Sequence, residues 1–283
     1  MNDVISVQSS VAYGYVGNRA AVFTLETLGF TVIQINTVQF STHAGYKQFS
    51  GEILSAQHIE ALFNSLEYAN LTQNSTALLS GYLGNVDIGK VLLQQIKKFK
   101  AINPNFMYCC DPVMGDTPHG LYVKPEIADF YMHEAMYETD ILIPNHFEAS
   151  YLSGIAIETE YDAKKAVEIL HEKGPKIILI TSYKASTASN IGFFLSNGNT
   201  YAVLETPRIY FSNTPHGTGD LVSALFLGHY LSSNDIVRSL EQTANTVYEI
   251  LVLTKQTDAK ELSLVQGRNT INFPNIQFKV TFL

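Results

Sequence analysis

Short apolar runs alternate along the chain with stretches whose apolar residues recur every three or four positions, the pattern of strands alternating with helices. Residues 3–8 (DVISVQ) read as a buried strand, followed by a loop punctuated by Gly14 and Gly17. Ala21, Val22, Leu25 and Leu28 mark a helix over 18–28, with Gly29 as its left-handed stop. TVIQINT (31–37) is the next strand, and Ser55 caps a helix with Ile59, Leu62, Phe63 and Leu66 in one stripe. The rhythm then repeats. TALLS (76–80), a helix capped by Asn85, FMYCC (106–110), a long loop over 112–124 and a helix opened by Pro125 follow in order. DILI (140–143), helices from about 146 and over 163–173, and KIILIT (176–181) continue it.

Strands separated by helices imply right-handed crossovers, hence a mainly parallel sheet with helices on both faces. IGFFLS and TYAVLE flank Asn197-Gly198-Asn199 and predict a hairpin, so the sheet should have an antiparallel edge. Helices over 218–231 and 235–254 follow, and strand-like pieces in 262–283 have no assigned place. No repeat, low-complexity stretch or Gly/Ser/Pro linker interrupts the pattern, so one domain over 1–283 is expected.

The composition, 46% hydrophobic and 16% charged, is that of a globular chain. A net charge of −8 argues against a nucleic-acid grip, which needs a basic face. The one dense basic run, KKFK at 97–100, falls at a helix end, where cations complement the dipole, and is expected to be solvated. No apolar run reaches the ~18 residues of a membrane span. MNDVISVQSS has no basic region before an apolar stretch, so the expectation is a soluble, cytoplasmic protein without a leader. Adjacent Cys109 and Cys110 offer neither a disulfide framework nor metal-ligand spacing, and at least one of them reads as a small core residue.

Ligands of open α/β sheets bind beyond the carboxyl ends of the strands. Here those ends carry Ser9, SGYLG (80–84), DPVMGD (111–116), PNHFE (144–148) and Thr181-Ser182. The sharpest feature is Gly217-Thr218-Gly219-Asp220 running directly into an amphipathic helix. Two glycines let backbone amides line a concavity, and the helix N-terminus adds positive charge, which suits a transferring phosphoryl group. Asp220 either caps the helix or accepts a proton from an attacking hydroxyl. GxxxxGK[ST], a complete GxGxxG, HExxH and GxSxG are all absent.

NTVQFSTHAGY (36–46), SGYLG, CDPVMGD (110–116), PNHFEASYLSG (144–154) and HGTGD (216–220) together resemble the pyridoxal kinase branch of the ribokinase-like family. The resemblance runs in the family's order from residue 3 to roughly residue 255. HGTGD alone points only to the wider group of sugar and vitamin kinases; NTVQFS…H…GY and DPVMGD are more specific. The resemblance implies a three-layer αβα ribokinase-like sandwich, usually a homodimer. It also implies transfer of phosphate from MgATP to the 5′-hydroxymethyl of pyridoxal, pyridoxamine or pyridoxine in vitamin B6 salvage, with K⁺ or Na⁺ as a further cation.

By the same resemblance, Asp220 is the catalytic base and the amides of Gly217, Thr218 and Gly219 form the anion hole. Ser9 hydrogen-bonds the pyridine ring and Tyr82 lines its pocket, the alternative for Tyr82 being a core tyrosine. Ala44 and Gly45 fall in the substrate-contacting stretch. Asp111, Asn145, Glu148, Thr181 and Ser182 face ATP, with Asp111 and Glu148 toward the metal; the alternative for Glu148 is a first-turn helix acid. The loop 115–124 covers the nucleotide phosphates, and its His119 reads as an exposed loop residue.

Family members often carry Thr where Ala44 stands. That loss of one side-chain hydrogen bond is worth ~0.5–1.5 kcal/mol and bears on vitamer preference. Two rivals remain at this stage: a hydroxymethylpyrimidine kinase with the same phosphoryl chemistry, and a non-catalytic pyridoxal phosphate-binding protein. Against the second, a pure binder has no use for a carboxylate beside phosphate.

Overall fold

The computed structural model describes residues 3–184 and 186–283. Its strands are β1 (Asp3–Val11), β2 (Thr31–Phe40), β3 (Gly51–Ile53), β4 (Ser75–Ser80), β5 (Met107–Cys110), β6 (Gly115–Asp116) and β7 (Gly120–Leu121), then β8 (Ile141–Leu142), β9 (Ile177–Tyr183), β10 (Asn190–Ser196), β11 (Tyr201–Pro207) and β12 (Thr281–Phe282). The helices are α1 (Asn18–Thr27), α2 (Ala56–Tyr68), α3 (Val86–Ile102), α4 (Pro125–His133), α5 (His146–Ser153), α6 (Glu160–Glu172), α7 (Thr218–Ser233), α8 (Ile236–Gln256) and α9 (Arg268–Asn272).

Ten strands form one sheet in the order β3-β2-β1-β4-β5-β8-β9-β10-β11-β12, while β6 and β7 pair as a small separate hairpin. From β2 to β9 every pairing is parallel. β3 is antiparallel to β2 at one edge, and β10 to β12 are antiparallel at the other. The expected hairpin at Asn197-Gly198-Asn199 is β10–β11.

Alternation along each strand feeds two cores, because successive side chains point to opposite faces. Ile5, Val7, Leu78, Cys110 and Ile180 pack on one face under α2 to α6. Val4, Ala77, Leu79, Cys109 and Leu179 pack on the other under α1, α7 and α8. Adjacent Cys109 and Cys110 therefore lie in different cores, both free and buried. Burial pushes the Cys110 thiol up to about 12 and raises the Cys109 thiol well above its ordinary value, which leaves neither as a thiolate at neutral pH.

The expected caps are formed. Ser55 Oγ accepts from the His58 amide at 3.1 Å, Asn85 Oδ1 accepts from the Ile88 amide at 2.9 Å, and Pro125 opens α4. α6 starts three residues before the predicted 163. Its first turn is a polar capping box between Thr159 and Asp162, with no apolar stripe to announce it. α7 departs from the amphipathic expectation: Leu221 to His229 are buried in succession, because the helix is enclosed by α1 and α8 as well as the sheet. KKFK is also less solvated than expected, since Lys100 reaches Asp140 Oδ2 at 2.8 Å and donates to the Glu138 carbonyl.

The unplaced C-terminal segment crosses back over α8. Asn245 Oδ1 accepts from the Gln277 and Phe278 amides at 2.8 and 2.9 Å, and β12 joins the antiparallel edge beside β11.

Candidate active site

The sheet order reverses at β1, whose neighbours are β2 on one side and β4 on the other. Such a switch point opens a crevice at the carboxyl ends of the strands. It is propped open here by Asn18 at the start of α1, 1% exposed. Its Nδ2 donates to the Ile35 carbonyl at 2.9 Å and to Asn36 Oδ1 at 2.9 Å, and its Oδ1 accepts from Ser6 Oγ at 2.7 Å. The β1–β2 register shifts between Gln8 and Ser10, which sets Ser9 at the break. Gly17 follows the same turn; a Cβ there would overlap the Ser9 carbonyl oxygen, so only glycine lets α1 start this close. Tyr82 lies after β4, half-buried, and its carbonyl accepts from Thr37 Oγ1 at 2.6 Å. Ala44 and Gly45 are exposed on the loop between β2 and β3.

Gly217 caps α7 in the left-handed region at φ 88°. A Cβ there would overlap the Tyr15 carbonyl oxygen, so the turn is reserved for glycine twice over. The Leu221 amide is the first to bond back, to the Gly217 carbonyl at 3.0 Å, which leaves the amides of the opening turn free for an anion. Asp220 sits in that turn. Burial pushes its carboxyl up to about 6, with the Gly17 amide and its own amide pulling it partly back.

Asp111 follows β5 and is buried, with its Oδ2 accepting from Ser223 Oγ of α7 at 2.7 Å. Burial first, then the charges of Glu148 and Asp220, push its carboxyl well above the ordinary range. Glu148 lies in the first turn of α5, where it forms a capping box with Asn145: the Glu148 amide donates to Asn145 Oδ1 at 3.0 Å and the Asn145 amide donates to Glu148 Oε2 at 2.8 Å.

The same pair grips the loop that follows Asp111. Glu148 Oε1 accepts from the Met114 amide at 2.9 Å and the Gly115 amide at 3.4 Å, and Asn145 Nδ2 donates to the Gly115 carbonyl at 2.7 Å. Glu148 is thus both a first-turn helix acid and the anchor of this loop. Burial, opposed by these amides, sets its carboxyl at about 7.

Beyond the anchor the lid is the β6–β7 hairpin, with His119 exposed and bonded to Asp116 Oδ1 at 2.9 Å. Sequence reasoning did not single out Tyr122 of this lid. Its amide donates to the Met114 carbonyl at 3.0 Å and the residue is 54% exposed, with its phenol raised first by partial burial and then by the charges of Glu148, Asp111, Asp116 and Asp220. Its signal was only its place in a loop already expected to cover phosphates.

Asn145, beyond β8, forms an isolated parallel bridge with Thr181 of β9, with the Thr181 amide donating to the Pro144 carbonyl at 2.8 Å. Ser182 takes φ 52°, a left-handed turn at the strand end that L-residues rarely adopt. One sheet edge therefore brings together Ser9, Tyr82, Asp111, Asn145, Glu148, Thr181 and Ser182 with the N-terminus of α7. Among the described residues no three His, Cys, Asp or Glu side chains converge as a metal site.

Residues 20–264 match the family described as phosphomethylpyrimidine kinase. The chain is 37% identical over 282 residues to pyridoxal kinase PdxY of Granulibacter bethesdensis, covering 98% of each. It is 36% identical over 282 residues to the corresponding protein of Pseudomonas syringae pv. tomato, covering 99% of this chain and 98% of the relative. Among solved structures it is similar to the pyridoxal kinase of Leishmania donovani in complex with ADP and pyridoxamine, with TM-score 0.93, 27% identity and 100% of both chains covered. It is also similar to that of Entamoeba histolytica, with TM-score 0.92, 26% identity and coverage of 100% of this chain and 99% of the other.

Proposed function

The chain belongs to the pyridoxal kinases, within the phosphomethylpyrimidine kinase family, and from that premise we propose which of its residues carry the reaction. It is a kinase that phosphorylates vitamin B6 with ATP. The observation that carries the residue assignment is the opening turn of α7, where left-handed Gly217 frees a set of amides beside a carboxylate held at about 6.

Asp220 is the base. Ionised at neutral pH yet elevated by burial, it takes the proton of the vitamer's 5′-hydroxymethyl as that oxygen bonds to the γ-phosphorus of ATP and the bond to ADP breaks. The amides of Gly217, Thr218 and Gly219 hold the equatorial oxygens of the transferring group, where charge spreads in the transition state. Ser9, Tyr82, Ala44 and Gly45 face the vitamer at the β1–β4 switch point. Asn145, Thr181 and Ser182 face the nucleotide, and Asp111 stands between it and α7. The lid held by Glu148 and Asn145 covers the phosphates and excludes water, which limits hydrolysis of ATP.

Asp111 fits Mg²⁺. It is a buried carboxylate with a hydroxyl partner on one oxygen and two like charges nearby, and Mg²⁺ asks for few protein ligands when phosphate oxygens and waters supply the rest. When bound, that ion neutralises phosphate charge. Glu148 has both oxygens on backbone amides, so its contribution is through the lid and its field rather than direct ligation.

The ten-stranded sheet, to which β1 and β12 both belong, supports one domain over 1–283. The exposed edge strand β3, with its own Ile53 46% exposed and the preceding Phe49 47% exposed, supports a homodimer. No helix among the described residues is long and apolar enough to cross a membrane; a cytoplasmic location is proposed, and rests on the family resemblance. A K⁺ or Na⁺ requirement is part of the same proposal and rests on the family resemblance.

The sequence reading leaves one rival acceptor, hydroxymethylpyrimidine, and the matching family is described by a related pyrimidine, phosphomethylpyrimidine. The test is ADP release from MgATP with pyridoxal, pyridoxamine, pyridoxine and hydroxymethylpyrimidine supplied separately, beside Asp220→Ala. Turnover of a B6 vitamer that collapses in the variant supports the assignment. Turnover of the pyrimidine alone overturns the acceptor, and an active variant overturns the base.

A further inference from the structure

One buried carboxylate has no part in that mechanism. Glu261, after α8, is 7% exposed and lies against two loops at the mouth of the crevice. Its Oε2 accepts from the Tyr15 amide at 3.2 Å, and its Oε1 accepts from the Tyr46 hydroxyl at 2.8 Å. His43 Nε2 lies 3.1 Å from the same Oε1.

The tautomer of His43 follows from its other nitrogen. The Gly45 amide donates to His43 Nδ1 at 3.1 Å, and an amide N–H can only donate, so Nδ1 is the acceptor. The ring proton is then on Nε2, which donates to Glu261. This carboxylate accordingly receives three donors from two loops, 12–17 and 41–46.

The far side of His43 meets the phosphate turn. Its ring lies 4.4 Å from that of His216, centroid to centroid and tilted by 35°. Gly45 admits His216 only because it lacks a side chain, since a Cβ there would overlap His216 Nε2. His216 directly precedes Gly217. Glu261, His43 and His216 thus form one line of contacts, from the C-terminal segment to the amides of the anion hole.

We infer that Glu261 is a positioning residue of the acceptor site: it fixes His43 as the Nε2–H tautomer and, with Tyr46, clamps the loop bearing Ala44 and Gly45 against His216 and Gly217. The inference rests on the reading of that loop as the vitamer side of the site. A purely structural staple would weaken folding and leave substrate discrimination alone. A positioning residue instead separates the two substrates, because ATP binds at the other end of the crevice.

Glu261→Gln is the direct test. The amide sets one acceptor oxygen and an N–H donor among three donors, so at least one of the bonds from His43, Tyr46 and the Tyr15 amide must break, and His43 loses its charged partner. Loss of a hydrogen bond to a charged group corresponds to about a tenfold rise in the KM for pyridoxal. The KM for ATP should stay unchanged, and Glu261→Asp, which keeps the charge, should recover part of the loss. Long-range ¹⁵N NMR of histidine-labelled protein, assigned against His43→Gln, reads the tautomer without turnover. It should report Nε2–H in the unaltered chain and a shifted Nε2 resonance in Glu261→Gln, where the charged acceptor is gone.

An unchanged His43 Nε2 resonance together with an unchanged KM for pyridoxal overturns the inference, as does an equal rise in both KM values. If Glu261→Gln does not fold, Tyr46→Phe removes one donor from the same carboxylate and must raise the vitamer KM selectively. Failure of the unaltered chain to turn over any vitamer would instead refute the functional reading, and the His43 Nε2 resonance would still decide the role of Glu261.

Discussion

Replacing Asp220 by Asn should destroy activity and stabilise the protein at the same time. Burial moves its carboxyl from 3.8 to about 6, so the folded state holds the proton more tightly than the unfolded chain does. About two units at 1.36 kcal/mol each give roughly 3 kcal/mol by which the ionised carboxylate disfavours the fold. For a raised carboxyl the cost is absent below 3.8, grows between 3.8 and 6, and is full above about 6. Asn removes the charge but keeps an oxygen for the Gly17 amide, so roughly 2–3 kcal/mol should return at pH 8 and about half of it at pH 5. For a chain of this length that is on the order of 5 °C in Tm at pH 8. Thermal melts of both proteins without nucleotide or cation, at pH 8 and pH 5, measure it, with turnover expected to fall by ~10²–10⁴. Equal melting temperatures at pH 8, or a gain no larger at pH 8 than at pH 5, would refute the claim that the site holds Asp220 against its own desolvation.

Gly217→Ala puts a side chain at φ 88° and against the Tyr15 carbonyl, so it should cost about 2 kcal/mol or more and lower kcat, read by urea melts and steady-state rates. Glu148→Gln keeps one acceptor for three amides; hydrogen exchange at Met114 and Gly115 should accelerate, and kcat should fall about tenfold as the lid loosens. Asp140→Asn tests a site with no part in catalysis. Burial would raise the Asp140 carboxyl, but Lys100, the Tyr108 amide and Lys176 hold it below its ordinary value, so its stabilisation is present above 3.8 and lost as pH falls through the folded value. The variant should lose about 1.5–3 kcal/mol at pH 7, less in acid, with unchanged KM values. Ala44→Thr restores a hydroxyl at the vitamer side and should reorder kcat/KM among pyridoxal, pyridoxamine and pyridoxine by about two- to tenfold without changing the KM for ATP.

What the sequence made legible was local. Ser55, Asn85 and Pro125 announce helix starts because a cap is read within three residues, and Asn197-Gly198-Asn199 announces a hairpin for the same reason. The capping box of α5 is visible in PNHFE, yet its partners Met114 and Gly115 lie more than 30 residues away and leave no local trace. β3 escaped because all three of its residues are exposed and show no alternation. Glu261 escaped because its segment has neither period nor motif, and its three donors come from residues more than 200 positions earlier. The C-terminal strand was unreadable on similar grounds, since Asn245 of α8 and β11 hold it in place of any pattern of its own.

The failure of α7 to show an amphipathic stripe connects fold to chemistry. A helix exposed on one side rocks about its buried stripe, and its N-terminus would carry the anion hole and Asp220 with it. α7 is instead enclosed by α1, α8 and the sheet from Leu221 to His229, with Gly228 letting the side chain of Leu28 approach closely. Ser223, one turn beyond Asp220, bonds Asp111, so the helix that presents the base also sets the carboxylate at the end of β5. Base, amides and Asp111 are then fixed relative to one another by one rigid body. Phosphoryl transfer draws its rate from such positioning and from charge already in place. Uniform hydrophobicity along α7 is therefore the sequence's record of a constraint on the reacting end, and it could not be told from an ordinary buried helix until its neighbours were seen.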